Sequence, residues 1–279
     1  MIIDSHLHVW SDDESRYPFG EVSRPASGDG ASVELLNEHM AKAGVDKAVI
    51  VQPIHYLYDN RYVAECLARF PGRFAAVALV DPTDAEAPDN LEELVLEKGF
   101  GGMRLHLSRQ ADPAALAALD QDRLWRRVEE LNVCLIVLGK AAELPALEPI
   151  VGRFPGVNVV LDHLGGPPVG EEPPHPLLGN VLRMAKYPNV YVKVSNMNRL
   201  SRLPYPHRDT HDMVRRIYDA FGPERLMWGT DFPHVLAAGG YLPALELTRD
   251  ELGFLNDDDK EWLFSRTVRK VWKFLEPFH

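Results

Sequence analysis

Eight short apolar stretches, each followed by enough chain for a helix, constrain the fold of this sequence more than any other feature. They cover residues 2–10, 47–52, 73–80, 100–107, 133–138, 157–161, 190–194 and 226–228. Several are apolar nearly throughout, the pattern of parallel strands covered on both faces. Helical spacing is expected between them at 32–43, 60–70, 86–98, 121–131, 142–153, 177–187 and 209–221, with a last amphipathic helix over 259–274. Ser32 reads as the N-cap of the first helix and Gly44 as its stop. Strand–helix alternation repeated eight times over roughly 250 residues predicts an α/β fold, a (β/α)8 TIM barrel. The rival is an open doubly wound sheet, but no glycine-rich dinucleotide fingerprint follows the first strand, which ends in His8, Val9 and Trp10. No linker or short-period repeat divides the chain, so one domain over residues 1–279 is expected.

Composition narrows the partners. Hydrophobic residues make up 46% of the chain, enough for a sizeable core. The net charge of −11 argues against nucleic acid or an anionic membrane surface, since both call for a basic footprint. No apolar run approaches the roughly 20 residues of a bilayer span, and the first residues show no charged lead followed by an apolar core. Cys66 and Cys134 fall in apolar periodic segments and read as reduced core residues. These features point to a cytoplasmic protein that acts on a small molecule. A homodimer is compatible with the sequence and not required by it.

In a barrel of this kind the chemistry sits at the C-terminal ends of the strands. The first strand alternates with period two, so His6 and His8 share a face, roughly 6–7 Å apart at Cα. Such a pair can converge on one metal ion or one small anion; alone, it reads as readily as two surface histidines. The other strand ends supply His55, Asp81, Arg104 with His106, Lys140, Asp162 with His163, Lys193 with Ser195, and Asp231 with His234 just beyond. Each has a bland reading by itself: Asp81 and Asp162 as turn or cap residues, Lys140 as solvated, Trp10 and Trp228 as packing. Their co-location makes the case, because histidines and an aspartate from distant strands would meet at one mouth. The polar segment 11–31 and the proline-rich stretches 165–176 and 203–206 would rim it.

Four of these motifs carry a family resemblance. Asp4-Ser5-His6-Leu7-His8, Leu161-Asp162-His163-Leu164-Gly165, the strand Tyr191-Val192-Lys193-Val194-Ser195 and Trp228-Gly229-Thr230-Asp231-Phe232-Pro233 resemble the amidohydrolase superfamily, in particular the branch called amidohydrolase family 2. That branch has a TIM-barrel fold. It includes lactonases of sugar acids and of aromatic degradation, and zinc-dependent decarboxylases and hydratases of aromatic or muconate-type acids. The resemblance implies metal-binding or substrate-contacting roles for His6 and His8, a general-base and metal-ligand role for Asp231, and a catalytic role for His163 beside it. The chain departs from the zinc-dependent pattern at strand five, where Leu138-Gly139-Lys140 stands in place of a third histidine. A catalytic zinc asks for three protein ligands and an open position. His6, His8 and Asp231 reach three without strand five, with His163 or His106 to supplement them. A divalent metal, zinc by donor type, is therefore one reading, and a metal-free site is the other.

The chemistry expected is hydrolysis of a lactone, with Asp231 deprotonating water and either a metal or His163 with Arg104 holding the oxyanion. His55, Arg104, His106, Lys193 and Ser195 are the expected substrate contacts. Arg104, Arg109, Lys140, Lys193, Arg199 and Arg202 lie at or after strand ends; three of them at the mouth would favour an anionic substrate. Taken singly, Arg109, Arg199 and Arg202 read as solvated loop residues, Lys193 reads equally as a structural ion pair with Asp162 or Asp231, and a neutral sugar lactone is then as acceptable. A metal-dependent decarboxylase is the alternative reaction, and the missing strand-five histidine counts against it. A non-catalytic metabolite-binding barrel is the third reading, and the retention of Asp231 with both His6 and His8 counts against that.

Overall fold

The apolar runs become eight parallel strands, and the amphipathic segments between them cover the outside of the ring they form. In a computed structural model, which describes residues 1–21, 23–25, 30–107, 122–173 and 175–274, the order begins β1 (Ile3–Leu7), α1 (Val33–Ala43), β2 (Lys47–Val51), α2 (Arg61–Arg69), β3 (Phe74–Val77) and α3 (Ala87–Leu96). It continues β4 (Gly102–His106), α4 (Asp122–Glu130), β5 (Cys134–Leu138), α5 (Leu144–Arg153), β6 (Val159–Leu161), α6 (Pro176–Arg183), β7 (Val190–Val194) and the single turn α7 (Met197–Leu200). Last come α8 (His211–Phe221), β8 (Leu226–Trp228), α9 (Tyr241–Glu246), α10 (Asp257–Glu261) and α11 (Thr267–Val271). The strands pair in sequence order, as β1-β2-β3 and as β4-β5-β6-β7-β8. Parallel bridges between Ala78 and Met103 and between Leu7 and Phe232 join these groups at both seams. Arg104 N donates to Ala78 O at 2.8 Å, Asp231 N to His6 O at 2.8 Å and His8 N to Phe232 O at 2.7 Å. The ring is thereby closed, as the (β/α)8 reading expects.

Element ends follow the local chemistry. Ser32 caps α1 by accepting from Leu35 N, and Gly44 ends it at φ 70°, a conformation that costs glycine little. Two features differ from expectation. The short helix α9 after β8 has too few turns to show a period. The final helix is broken: it starts at Asp257 under a reciprocal cap between Asn256 and Asp259, widens to a π-helical turn over Trp262–Arg266 and ends at Val271. Trp272 then turns to extended backbone and is buried against the interior of the barrel.

Two apolar layers lie on either side of the strand wall. The outer layer packs strands against helices and includes Leu36, Met40, Leu91, Leu147 and Ile217. The inner one is small: Ile3, Val49, Val51, Val77, Ile136, Val160, Tyr191 and Met227 fill the barrel over Trp272. Inward positions nearer the strand ends are charged, because Arg104 follows Gly102 by two residues and Lys193 follows Tyr191 by two. Strand β1 carries an extra residue relative to β2, with Asp4 opposite Ala48 but Leu7 opposite Ile50. This bulge lets Ile3 join the inner layer while His6 and His8, of the other parity, also face inward.

The seam between β1 and β8 is tied by Asp4. Its buried carboxylate accepts from His6 N at 3.0 Å, Thr230 N at 3.0 Å, Thr230 Oγ1 at 2.5 Å and Tyr241 Oη at 2.8 Å. Burial pushes this carboxyl up to about 6 despite those donors. The backbones also pass very closely. A Cβ on Gly229 would stand 2.8 Å from His6 Cβ and 2.9 Å from His6 N, so only glycine fits. Asp4→Ala strands four buried donors, each worth about 1–3 kcal/mol when unsatisfied. After relaxation a loss of ~3–5 kcal/mol is expected in urea unfolding, and clearly less for Asp4→Asn, which keeps one acceptor. Equal losses in the two variants would contradict this account of the seam.

Candidate active site

Asp162, the residue after β6, organises the charged layer above the apolar filling. Its Oδ2 accepts from Arg104 Nε at 2.9 Å and from Arg104 Nη2 at 2.8 Å. Its Oδ1 lies 3.0 Å from His6 Nδ1 and 3.1 Å from Lys193 Nζ, and Lys193 Nζ donates to His6 Nδ1 at 2.9 Å. Burial raises the Asp162 carboxyl, but His6, Lys193 and Arg104 together hold it well below the usual carboxylate range. Burial lowers Lys193 against the pull of Asp162, and it drives His6 well below the ordinary imidazole value.

Asp231 stands next to this layer on the cavity side. Its Oδ1 is 3.6 Å from His6 Nε2 and 3.5 Å from His8 Nε2, and its Oδ2 is 3.8 Å from Arg199 Nη1. Burial raises the Asp231 carboxyl, but His163, His8 and His6 outweigh it, and the group stays ionised well below the usual carboxylate range. His8 Nδ1 is 2.7 Å from Val51 O, which only accepts, so Nδ1 carries a proton and Nε2 is the nitrogen that faces Asp231. His163 Nδ1 lies 2.9 Å from Ser195 Oγ, and burial lowers the His163 imidazole to about 4. Asp231, His163 and Asn196 take left-handed backbone at φ 62°, 51° and 61°. Such conformations are costly outside glycine, and their clustering at one cleft marks it as functional.

The cleft is a cavity of about 470 Å³, within the range of small-molecule sites. His8, His55, Arg104, His106, His163, Asn196, Arg199, Asp231 and His234 give its polar lining, and Trp10, Pro53, Ile54, Leu138 and Leu200 its apolar one. Trp10 stands edge-to-face on His55, with ring centroids 5.0 Å apart. The loop after β1 braces that wall: Ser23 Oγ is 3.0 Å from His55 Nδ1, and Gly20 N donates to His55 O at 2.7 Å.

His55, Arg104 and His106 thus line the cavity, as expected of substrate contacts. Lys193 does not: it is fully buried beneath the cavity and pairs with Asp162, because its strand position points into the barrel below the mouth. Ser195 is buried too and reaches His163 instead of the cleft. Arg104 reaches the cavity, but two of its nitrogens are committed to Asp162, so it is not a fork open to a substrate carboxylate. Of the other expected cations, Arg199 lines the cavity with its side chain 57% exposed, Lys140 and Arg202 are exposed, and Arg109 lies outside the described residues. Two described cations at the mouth fall short of the three that the anionic-substrate argument required. Of the expected trio, His6 Nε2 and His8 Nε2 both approach Asp231 Oδ1, at 3.6 and 3.5 Å. The donors that gather within 4.8 Å are His6 with His163 and Asp231, and His8 with Asp231 and His234. The rings of His6 and His8 meet edge to face with centroids 5.0 Å apart, while His6 is drawn toward Lys193 and Asp162 and His8 is pinned to Val51. Sequence reasoning treated Asp162 as a turn residue and Trp10 as packing. The signals for Asp162 were its strand end among the others, its place in the Leu161–Gly165 motif and the possible ion pair with Lys193.

The family model described as Amidohydrolase matches residues 3–274. The chain belongs to the amidohydrolase family. L-fucono-1,5-lactonase of Burkholderia ambifaria is 27% identical over 245 residues, 86% of this chain and 82% of that protein. A probable 2-pyrone-4,6-dicarboxylic acid hydrolase from Acinetobacter baumannii, solved with citric acid bound, superposes with a TM-score of 0.84 at 23% identity, covering 97% of this chain and 98% of that one. A zinc-bound amidohydrolase from Burkholderia multivorans superposes with a TM-score of 0.80 at 23% identity and the same coverages. These superpositions bear out the TIM-barrel reading.

The lowered His163 imidazole has a consequence for stability. An unfolded histidine titrates near 6.5 and the folded one near 4, so between these values the unfolded chain binds more protons. Its contribution is fully present above pH 6.5 and is lost as pH falls toward 4. In His163→Asn, the slope of unfolding free energy against pH in that window should drop by up to about 1.4 kcal/mol per pH unit. An unchanged slope would show that His163 titrates normally.

Proposed function

We propose that this amidohydrolase opens a lactone, the cyclic ester of a sugar acid or of an acid from aromatic degradation, by water attack with Asp231 as general base. One observation carries the reading: a carboxylate held ionised at the wall of a ligand-sized cavity, with imidazole nitrogens at 3.5 and 3.6 Å. The lactonase name of the Burkholderia ambifaria relative supports it.

Water seated against Asp231 and His8 Nε2 loses its proton to Asp231 as it attacks the carbonyl carbon. Asp231 has low proton affinity, so the transfer proceeds together with C–O bond formation and is not a separate prior step. The carbonyl oxygen gains charge beside His163, which is neutral above about pH 4 and can present an N–H, and beside the Arg104 guanidinium. When the tetrahedral intermediate collapses, the proton on Asp231 passes to the leaving ring oxygen, which becomes a hydroxyl. The Trp10–His55 wall excludes water from one face of the ring, and Arg199 at the rim suits an acidic substituent.

The donor set fits a divalent metal, zinc by ligand type. His6 Nε2 is buried without a hydrogen-bond partner, His8 Nε2 is the nitrogen left over from the Val51 bond, and Asp231 lies within reach of both. Asp231 and the surrounding histidines would hold the ion, which would polarise the carbonyl and lower the proton affinity of water. Decarboxylation is disfavoured, because β5 brings only Leu138 and Gly139 to the cavity wall and adds no ligand.

A panel of aldonolactones and unsaturated lactones, followed with a pH indicator, tests the reaction. Asp231→Asn should fold and lose 10²–10⁴-fold in kcat/KM, the usual contribution of a positioned base. Retention of more than about a tenth of the rate would remove Asp231 from that role.

A further inference from the structure

We propose that this chain holds a divalent cation through His8, Asp231 and His234, on the cavity side of Asp231, with His234 taking the place that the strand-one pair would have given to His6. The proposal concerns the site of the preceding section but does not depend on ring opening, since cation binding is measured without substrate.

Asp231 belongs to both groups of converging donors, so the question is which side of it a cation occupies. On the cavity side, His8 is fully prepared. Its Nδ1–H is spent on Val51 O at 2.7 Å, which leaves Nε2 to face Asp231 Oδ1 at 3.5 Å. In the neutral ring that nitrogen is a lone pair beside a carboxylate, two acceptors that a cation between them would reconcile. Ligands about 2.0–2.2 Å from a tetrahedral zinc stand roughly 3.3–3.6 Å apart, so the spacing is already that of two zinc ligands. A histidine whose other nitrogen is fixed by a backbone carbonyl is also the usual state of a metal ligand. His234 completes the group, with its ring centroid 5.9 Å from that of His8 and its donor atom within 4.8 Å of the others.

On the inner side, His6 Nε2 lies at a similar 3.6 Å from Asp231 Oδ1, and distance alone would serve as well. The chemistry behind His6 decides against it. His6 Nδ1 is committed to the charged layer, with Lys193 Nζ at 2.9 Å and the Asp162 carboxylate at 3.0 Å, which holds the ring to the inner side. Lys193 and Arg104 also set two positive charges against the one negative charge of Asp162 just beneath, so a dication there meets net repulsion. Around His8 and His234 the nearest cation paired with Asp231 is Arg199, on an exposed side chain that can swing away.

Titration calorimetry with zinc ion on metal-stripped full-length protein tests this. One equivalent should bind to the wild type. His234→Ala should weaken binding by at least about 100-fold, the upper end of what even indirect disturbance of a metal site costs, while His163→Asn stays within about tenfold. Circular dichroism checks each fold; if His234→Ala does not fold, His234→Gln keeps the volume and removes the imidazole. Cobalt(II) substitution gives a second readout, with the tetrahedral visible absorption expected in wild type and His163→Asn and lost in the His234 variants. Zinc affinity that survives loss of His234, or that falls as far in His163→Asn, overturns the proposal, as does a wild type that takes up no zinc at micromolar concentration. None of these results depends on whether the protein turns over a lactone.

Discussion

The charge placed inside the barrel at Asp162 is the constraint around which the site is arranged. A carboxylate buried among strand ends is tolerated only if cations and donors surround it, and here Arg104, Lys193 and His6 do so from three other strands. Because each partner is committed to Asp162, none can rotate freely. Arg104 is held at the cavity wall, Lys193 is held below it, and His6 is turned so that its remaining nitrogen faces Asp231. One consequence is that Lys193 gives nothing directly to a ligand, while Arg104 offers only what its bonds to Asp162 leave free.

Asp231 inherits its position from both directions. Its backbone N–H is bonded to His6 O across the seam, and the residue before it, Thr230, is bonded to Asp4. The same closure that completes the ring of strands therefore sets the left-handed backbone of Asp231 and aims its carboxylate among the histidines. Gly229 allows that close approach, since any Cβ there would meet His6. Stability of the seam and geometry of the base are one problem, and a change at Asp4 should be felt at both.

Much of this was legible beforehand, and for a physical reason. Parallel strands covered on both faces must be apolar throughout, so eight such runs alternating with helices leave few topologies open, and residues at their ends must gather at one mouth. What stayed illegible depended on depth. Lys193 and Arg104 look alike in sequence, as charged residues on inward strand positions, yet one lies under the cavity and the other lines it. Asp162 and Asp81 look alike as acidic residues at strand exits, yet Asp162 anchors the interior while Asp81 accepts from Thr83 at the surface. The strand-one histidines are a related case: period-two spacing puts His6 and His8 on one face, but it cannot say which neighbour turns each ring.

The sequence by itself determined the barrel, the family and the set of polar residues delivered to its mouth, because strand periodicity and motif order are properties of the chain read in line. Only the tertiary structure decided how those residues divide the work. Whether a nitrogen is a donor or a lone pair depends on partners that come from other strands: Val51 for His8, Lys193 and Asp162 for His6, Ser195 for His163. Those pairings exist only once the ring has closed.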